Sequence, residues 1–80
     1  MNTCIVDVNK NRVLVTFYHI VNNGSIDIWK DEGKKKPLLV CSKKVKNSIF
    51  ENIGSVPGKG LYKMDIDMDG EIISKTIKIF

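Results

Sequence analysis

The densest run of chemistry-bearing side chains in this 80-residue chain is Asp65-Ile66-Asp67-Met68-Asp69-Gly70-Glu71. Asp at its first, third and fifth positions and Gly at its sixth match the opening of a twelve-residue calcium loop, in which converging oxygens replace the ion's water. Position twelve should bring a bidentate Glu but is Thr76, and both flanks alternate apolar and polar residues as strands do. In an extended chain Asp65 and Asp67 stand about 7 Å apart on one face and do not converge. The segment therefore reads as an acidic outer strand ending in an Asp-Gly hairpin turn, with no metal site. Weak calcium binding at Asp67, Asp69 and Glu71 is the residual alternative.

A second concentration is cationic. Lys34, Lys35, Lys36, Lys43, Lys44 and Lys46 fall within thirteen residues, and a hairpin that brought the two groups together would make one positive patch for phosphate or an acidic surface. Lysines on a short strand also block edge-to-edge aggregation. The chain has one Arg, and Trp29 and Tyr18 are its plausible exposed rings, so the base-edge contacts and stacking that nucleic-acid recognition needs are poorly supplied. Strand parity sends Trp29 outward beside Asp27, where a large aromatic serves as a binding anchor or covers a sheet edge. The candidate binding set is Trp29, Lys34, Lys35, Lys36, Lys43 and Lys44.

Catalysis finds little to work with. His19 is the sole histidine; Thr16 and Tyr18 are its nearest hydroxyls, on one strand, and no acidic residue is placed to orient it. Gly58-Lys59-Gly60 resembles part of a phosphate loop, but no helix follows to supply amide donors. Cys4 and Cys41 lie in no metal-ligand spacing; they are one potential disulfide or two small buried apolar residues. No catalytic residue and no cofactor are expected.

The elements that must position these residues are strands. Eighty residues make one domain, residues 1–80, and hide only about 60% of the surface that the unfolded chain exposes. The composition, 42% hydrophobic and 28% charged, is that of a globular chain, with a net charge of +4. Alternation predicts strands over Thr3 to Val8 (Cys4, Val6 and Val8 on one face), Arg12 to Val21 (Val13, Val15 and Phe17 on one face) and Ser25 to Lys30 (Ile26 and Ile28 inward). Asn22-Asn23-Gly24 reads as the turn between the second and third. Pro37 to Ser42 is a fourth strand, and Lys43 to Ile53 reads as a fifth, although Val45, Ile49, Phe50 and Ile53 also fit two helical turns. After the loop Gly54 to Gly60, Leu61 to Asp67 and Glu71 to Phe80 form a hairpin with Tyr62, Met64 and Ile66 facing Ile73, Ile77 and Ile79. Seven short strands without a helical crossover predict an all-β, two-sheet antiparallel sandwich, with a small open barrel as the alternative.

Two segments carry a family resemblance. Ser25-Ile26-Asp27-Ile28-Trp29-Lys30-Asp31-Glu32-Gly33-Lys34-Lys35 resembles a hallmark strand and turn of the immunoglobulin-like C-terminal sorting domains of the type IX secretion system and the small secreted bacterial domains akin to them. Ile53-Gly54-Ser55-Val56-Pro57-Gly58-Lys59-Gly60-Leu61-Tyr62-Lys63-Met64-Asp65-Ile66 is similar to a second hallmark, a proline loop and Gly before a strand opening on Tyr; that Tyr62 also resembles the tyrosine corner of Greek-key sandwiches. Val13, Val15 and Phe17 resemble the early core strand, and Ser74 to Ile79 the closing one. The resemblance implies an immunoglobulin-like fold and an exported, cell-surface or secreted module that binds or attaches to a protein or cell-surface component.

Met1-Asn2-Thr3-Cys4 lacks the basic segment and apolar stretch of a signal peptide, and no apolar run reaches about eighteen residues, so no membrane span is expected. The alternative function is a small intracellular binding protein, phage-derived for example, holding an acidic macromolecule through the lysine patch and Trp29.

Overall fold

Alternating apolar residues commit almost the whole chain to extended backbone, and the computed structural model, which describes residues 4–80, is all-β with no helix among them. Five strands form one antiparallel sheet: β1 (Cys4–Asn9), β2 (Arg12–Lys30), β3 (Leu38–Ser55), β4 (Gly60–Met68) and β5 (Glu71–Ile79). The order is β1-β2-β4-β5, with β3 also paired to β2. Thr3, the expected first residue of the first strand, lies outside the described residues.

β2 organises the sheet. Its first part pairs with β1 through Cys4↔Phe17 to Asn9↔Arg12, and its last part with β4 through Gly24↔Met68 to Lys30↔Tyr62. β3 runs beside both parts, from Arg12↔Ser55 to Lys30↔Leu38. Between Thr16↔Phe50 and Val21↔Ser48, four residues of β2 oppose one of β3. Extra residues on one strand bend a ribbon and increase its twist. On β3, Asn47 adopts φ +49 beside this interruption.

The inward parity of β2 changes just past this interruption, between Val21 and Ile26. Val13, Val15, Phe17 and Val21 are buried ahead of the change, Ile26 and Ile28 beyond it. One strand thereby lines both walls of a curled sheet, and its two inward stripes share a core with Tyr62, Met64, Ile66, Met68, Ile77 and Ile79.

This geometry corrects several expectations. The seven predicted strands are five, because Asn22-Asn23-Gly24 is not a turn and lies inside β2, and the predicted Pro37 to Ser42 and Lys43 to Ile53 strands are one strand, β3. A seven-stranded sandwich of separate sheets gives way to a single curled sheet. Alternation reports that a segment is extended, but not whether the next segment is reached by a turn or by a bulge. The helical spacing in Lys43 to Ile53 carries no helix. Cys4, Val6 and Val8 share one face of β1, along which burial falls from Cys4 to the 39% exposed Val8.

The β4–β5 hairpin follows its sequence signal. Asp69 and Gly70 take φ +54 and +94, the left-handed pair that a two-residue turn between twisted strands requires. The β1–β2 turn is anchored to the loop after β3, as the Asn11 side chain donates to the Val56 carbonyl (3.2 Å) and the Val56 N–H donates to the Asn11 carbonyl (2.9 Å). Tyr62, 1% exposed, directs its hydroxyl at the carbonyls of Pro57 (2.7 Å) and Gly58 (2.9 Å). It pins the proline loop to the strand that follows. Cys4 is buried and Cys41 half-buried, and neither is bridged.

Candidate functional site

Side chains opposite one another across antiparallel strands share a face, so the register defines what the outer surface of β2, β3, β4 and β5 presents. Asp27 pairs with Ser42 on one side and Asp65 on the other, and Asp65 pairs with Ser74. The result is a row Ser42, Asp27, Asp65, Ser74 across four strands. Two carboxylates placed directly opposite repel. Each is solvated from its flank by a hydroxyl, Ser42 donating to Asp27 at 2.6 Å and Ser74 to Asp65 at 2.7 Å.

In the next row Trp29 stands opposite Lys63 and Leu39. The pairing skips Val40, a bulge that lets Val40 and Cys41 both pack against the core while Trp29 still faces outward. Trp29 is half-buried and forms, with Lys36, Pro37, Lys63 and Asp65, an open depression of about 390 Å³. Its walls offer an indole, a proline ring, two ammonium groups and a carboxylate, all but Lys36 and Pro37 fixed on strands. Such a surface suits contact with a partner that brings an apolar group and both signs of charge.

The lysines of the candidate set border different parts of the surface. Lys34, Lys35 and Lys36 are exposed in the loop between β2 and β3, where Asp31 accepts from the Gly33 N–H (2.8 Å), and of the three only Lys36 lines the Trp29 depression. Lys43 and Lys44 point to opposite faces, as neighbours on a strand must. Lys43, opposite the buried Ile26, turns inward along the bent β3; its Nζ lies 3.0 Å from Glu51 Oε1 and 3.3 Å from the Asn52 carbonyl oxygen. Lys44 is exposed on the outer face and, with Lys46, lines a separate depression beside Asp67 and Asp69. Leu38 and Lys44 are six positions apart on extended β3, about 20 Å.

The Glu51 carboxyl is held below its ordinary range first by the Ser48 hydroxyl and then by Lys43, against the opposing effect of burial. A carboxyl with a depressed folded pKa contributes stability above its unfolded pKa of about 4.3 and loses it as pH falls through the folded value. Glu51→Gln is therefore expected to lower stability by under about 1 kcal/mol at pH 7, with the difference shrinking in denaturant titrations as pH falls through the folded pKa; a difference that does not shrink on acidification refutes the ionic contribution.

Two carboxylates of the acidic segment are taken up by backbone N–H groups, of β2 and of the segment's own turn. Asp69 Oδ1 accepts from the N–H groups of Asn22 (3.0 Å) and Asn23 (2.8 Å), and Asp67 Oδ1 from that of Gly70 (2.8 Å). Glu71 is paired with the inward Met68, so it belongs to the face opposite Asp67. No cluster of three metal-ligating side chains occurs among the described residues. Millimolar calcium is expected to leave the melting temperature unchanged, and a rise of several degrees would restore the calcium reading.

His19 is exposed at the bend of β2, and no polar or charged residue is buried among the described residues. No helix among them is long and apolar enough to cross a membrane. Parity alone marks Trp29, Lys63, Asp27 and Asp65 as outward; Lys63 and Asp65 escaped the candidate set because only the pairing of β2 with β4 brings them beside Trp29. No protein-family model matches the chain, and no match is found among curated proteins or solved structures.

Proposed function

We propose that this chain is a non-catalytic binding module, immunoglobulin-like in kinship, that acts in secreted form or at a cell surface by holding a protein or cell-surface component against Trp29. The observation that carries the proposal is the half-buried indole on the outer face, seated between Lys36, Pro37, Lys63 and Asp65. A large ring held on a strand loses little conformational freedom on binding, which is why tryptophan dominates interface energetics. What supports the kinship is the resemblance of the two quoted segments and the bond from Tyr62 to carbonyls four and five residues upstream. The proposed kinship concerns these local features and the all-β class.

Trp29 is the only tryptophan, so its emission reports this depression alone. Titration with solubilised cell-envelope polysaccharide and with extracellular protein fractions is expected to shift the emission to shorter wavelength, and Trp29→Ala should weaken binding at least tenfold while leaving the fold intact. Unchanged binding by Trp29→Ala overturns the proposal. Heparin provides the polyanion control: tight heparin binding that collapses with salt and survives Trp29→Ala would transfer the function to the lysines.

A further inference from the structure

The curled sheet stops short of closure. Among the described residues β1 pairs only with β2 and β5 only with β4, so each leaves a margin unpaired there. The two strands nevertheless border one cleft, lined by Val6 and Val8 of β1 and by Lys75, Thr76, Ile77 and Lys78 of β5. The two walls differ in kind. Alternate residues mean that β1 offers one side-chain face; consecutive residues mean that β5 offers its edge, backbone included.

Unused backbone donors and acceptors on an accessible edge are a template for an added strand. Lys75 narrows what that strand must be. It pairs with the fully buried Met64, so it falls on the inward face of β5, in the stripe of Ile73, Ile77 and Ile79. It takes part in no ion pair among the described residues, and it lies near enough to the buried Cys4 to act on that thiol electrostatically. Lys78, on the outward side, already stands over the Phe80 ring at 5.2 Å. The cleft thus combines apolar valine and isoleucine walls with one inward ammonium group that no ion pair among the described residues neutralises.

We infer that this cleft is a strand-addition site for an extended segment of a partner protein. The segment hydrogen-bonds along β5 at Lys75–Lys78 and carries a carboxylate opposite Lys75 and an apolar side chain two residues away opposite Ile77. Residues directly opposite share a face, so the carboxylate meets Lys75 while the apolar side chain covers Ile77 and packs on Val6 and Val8. The net charge of +4 favours approach of an acidic segment. This site is separate from the Trp29 depression, and either is able to exist without the other.

The test uses the whole protein and the acetylated, amidated heptapeptide Thr-Val-Thr-Glu-Thr-Val-Thr, whose symmetry makes strand direction immaterial. In amide-proton NMR the peptide is expected to shift the signals of Lys75 to Lys78 and the methyl signals of Val6 and Val8, and to slow amide exchange along β5. The same peptide with Lys in place of Glu should bind at least tenfold more weakly. Lys75→Glu should reverse that preference and Lys75→Gln should abolish it, the latter standing as the answer if Lys75→Glu does not fold. Equal binding of the two peptides, shifts confined to other strands, or no shift at millimolar peptide overturns the inference. Shifts at the cleft that depend on protein concentration without peptide also overturn it, in favour of a second copy as the occupant.

Discussion

Gly24→Ala is expected to destabilise the protein by about 3 kcal/mol or more, toward or beyond the upper end of what overpacking usually costs. The reason lies in space, not in dihedral preference. Gly24 is paired on both sides, with Val45 of β3 and Met68 of β4, at the place where β2 leaves its bend. A methyl group built there would enter the Asp67 carbonyl oxygen and come within 3.0 Å of Val21 Cγ1. Backbone cannot swing aside as a long side chain does. Relief requires β2 and β4 to part at this end, which also strains the bonds from the Asn22 and Asn23 N–H groups to Asp69 and from the Asp69 N–H to the Asn23 carbonyl.

A domain of this size has roughly 4 to 12 kcal/mol of stability in total, so the single methyl is expected to leave a large unfolded fraction in denaturant titrations at 25 °C. Gly33→Ala is the matched control. Nothing stands within 4 Å of its added Cβ, and only its φ of +73 opposes the change, which costs about 1 kcal/mol. Gly24→Ala falling within 0.5 kcal/mol of wild type would show that β4 does not approach β2 as described.

Tyr62 carries the second large effect, and two substitutions divide its contributions. Tyr62→Ala removes one of the largest fully buried side chains, beside Met64 and Ile66 on β4, and is expected to cost about 3 to 5 kcal/mol. Tyr62→Phe keeps the ring, over which Lys30 Nζ stands at 6.0 Å, and deletes only the hydroxyl. It is expected to cost about 1 kcal/mol, because the carbonyls of Pro57 and Gly58 belong to exposed residues that water reaches. The same hydroxyl holds the proline loop, so amide exchange at Gly58 and Lys59 should quicken in Tyr62→Phe while that of Ile26 and Ile28 stays as in wild type. A Phe variant as unstable as the Ala variant would mean that the loop tether, not ring burial, is what the domain depends on.

Both effects bear on function through the same frame. β2 carries Trp29, β4 carries Lys63 and Asp65, and it is their pairing through Trp29↔Lys63 and Asp27↔Asp65 that assembles the outer face. Loosening that pairing at Gly24 should therefore disperse the Trp29 depression before it exposes Trp29 fully. An emission shift that precedes the loss of β signal in denaturant would record this order in the Gly24→Ala variant.

The alternation of apolar residues was sufficient to make this an all-β chain and to select most of its interior. Val13, Val15, Phe17, Ile26, Ile28, Tyr62, Met64, Ile66, Ile77 and Ile79 were legible as inward from parity and are buried, because a strand has no other way to hide one side. The Asp69-Gly70 turn was legible for a similarly local reason, its positive φ values. Connectivity was not. Asn22-Asn23-Gly24 satisfies a turn and a bend equally well, and what selected the bend was the simultaneous pairing of Gly24 with β3 and β4, contacts between residues some twenty and some forty positions apart. The functional face divides along the same line: parity placed Trp29 outside, but whether Lys36, Lys43 or Lys63 would stand beside it depended on register and on the curl of β3. Those are properties of strands meeting one another, and no single strand's sequence contains them.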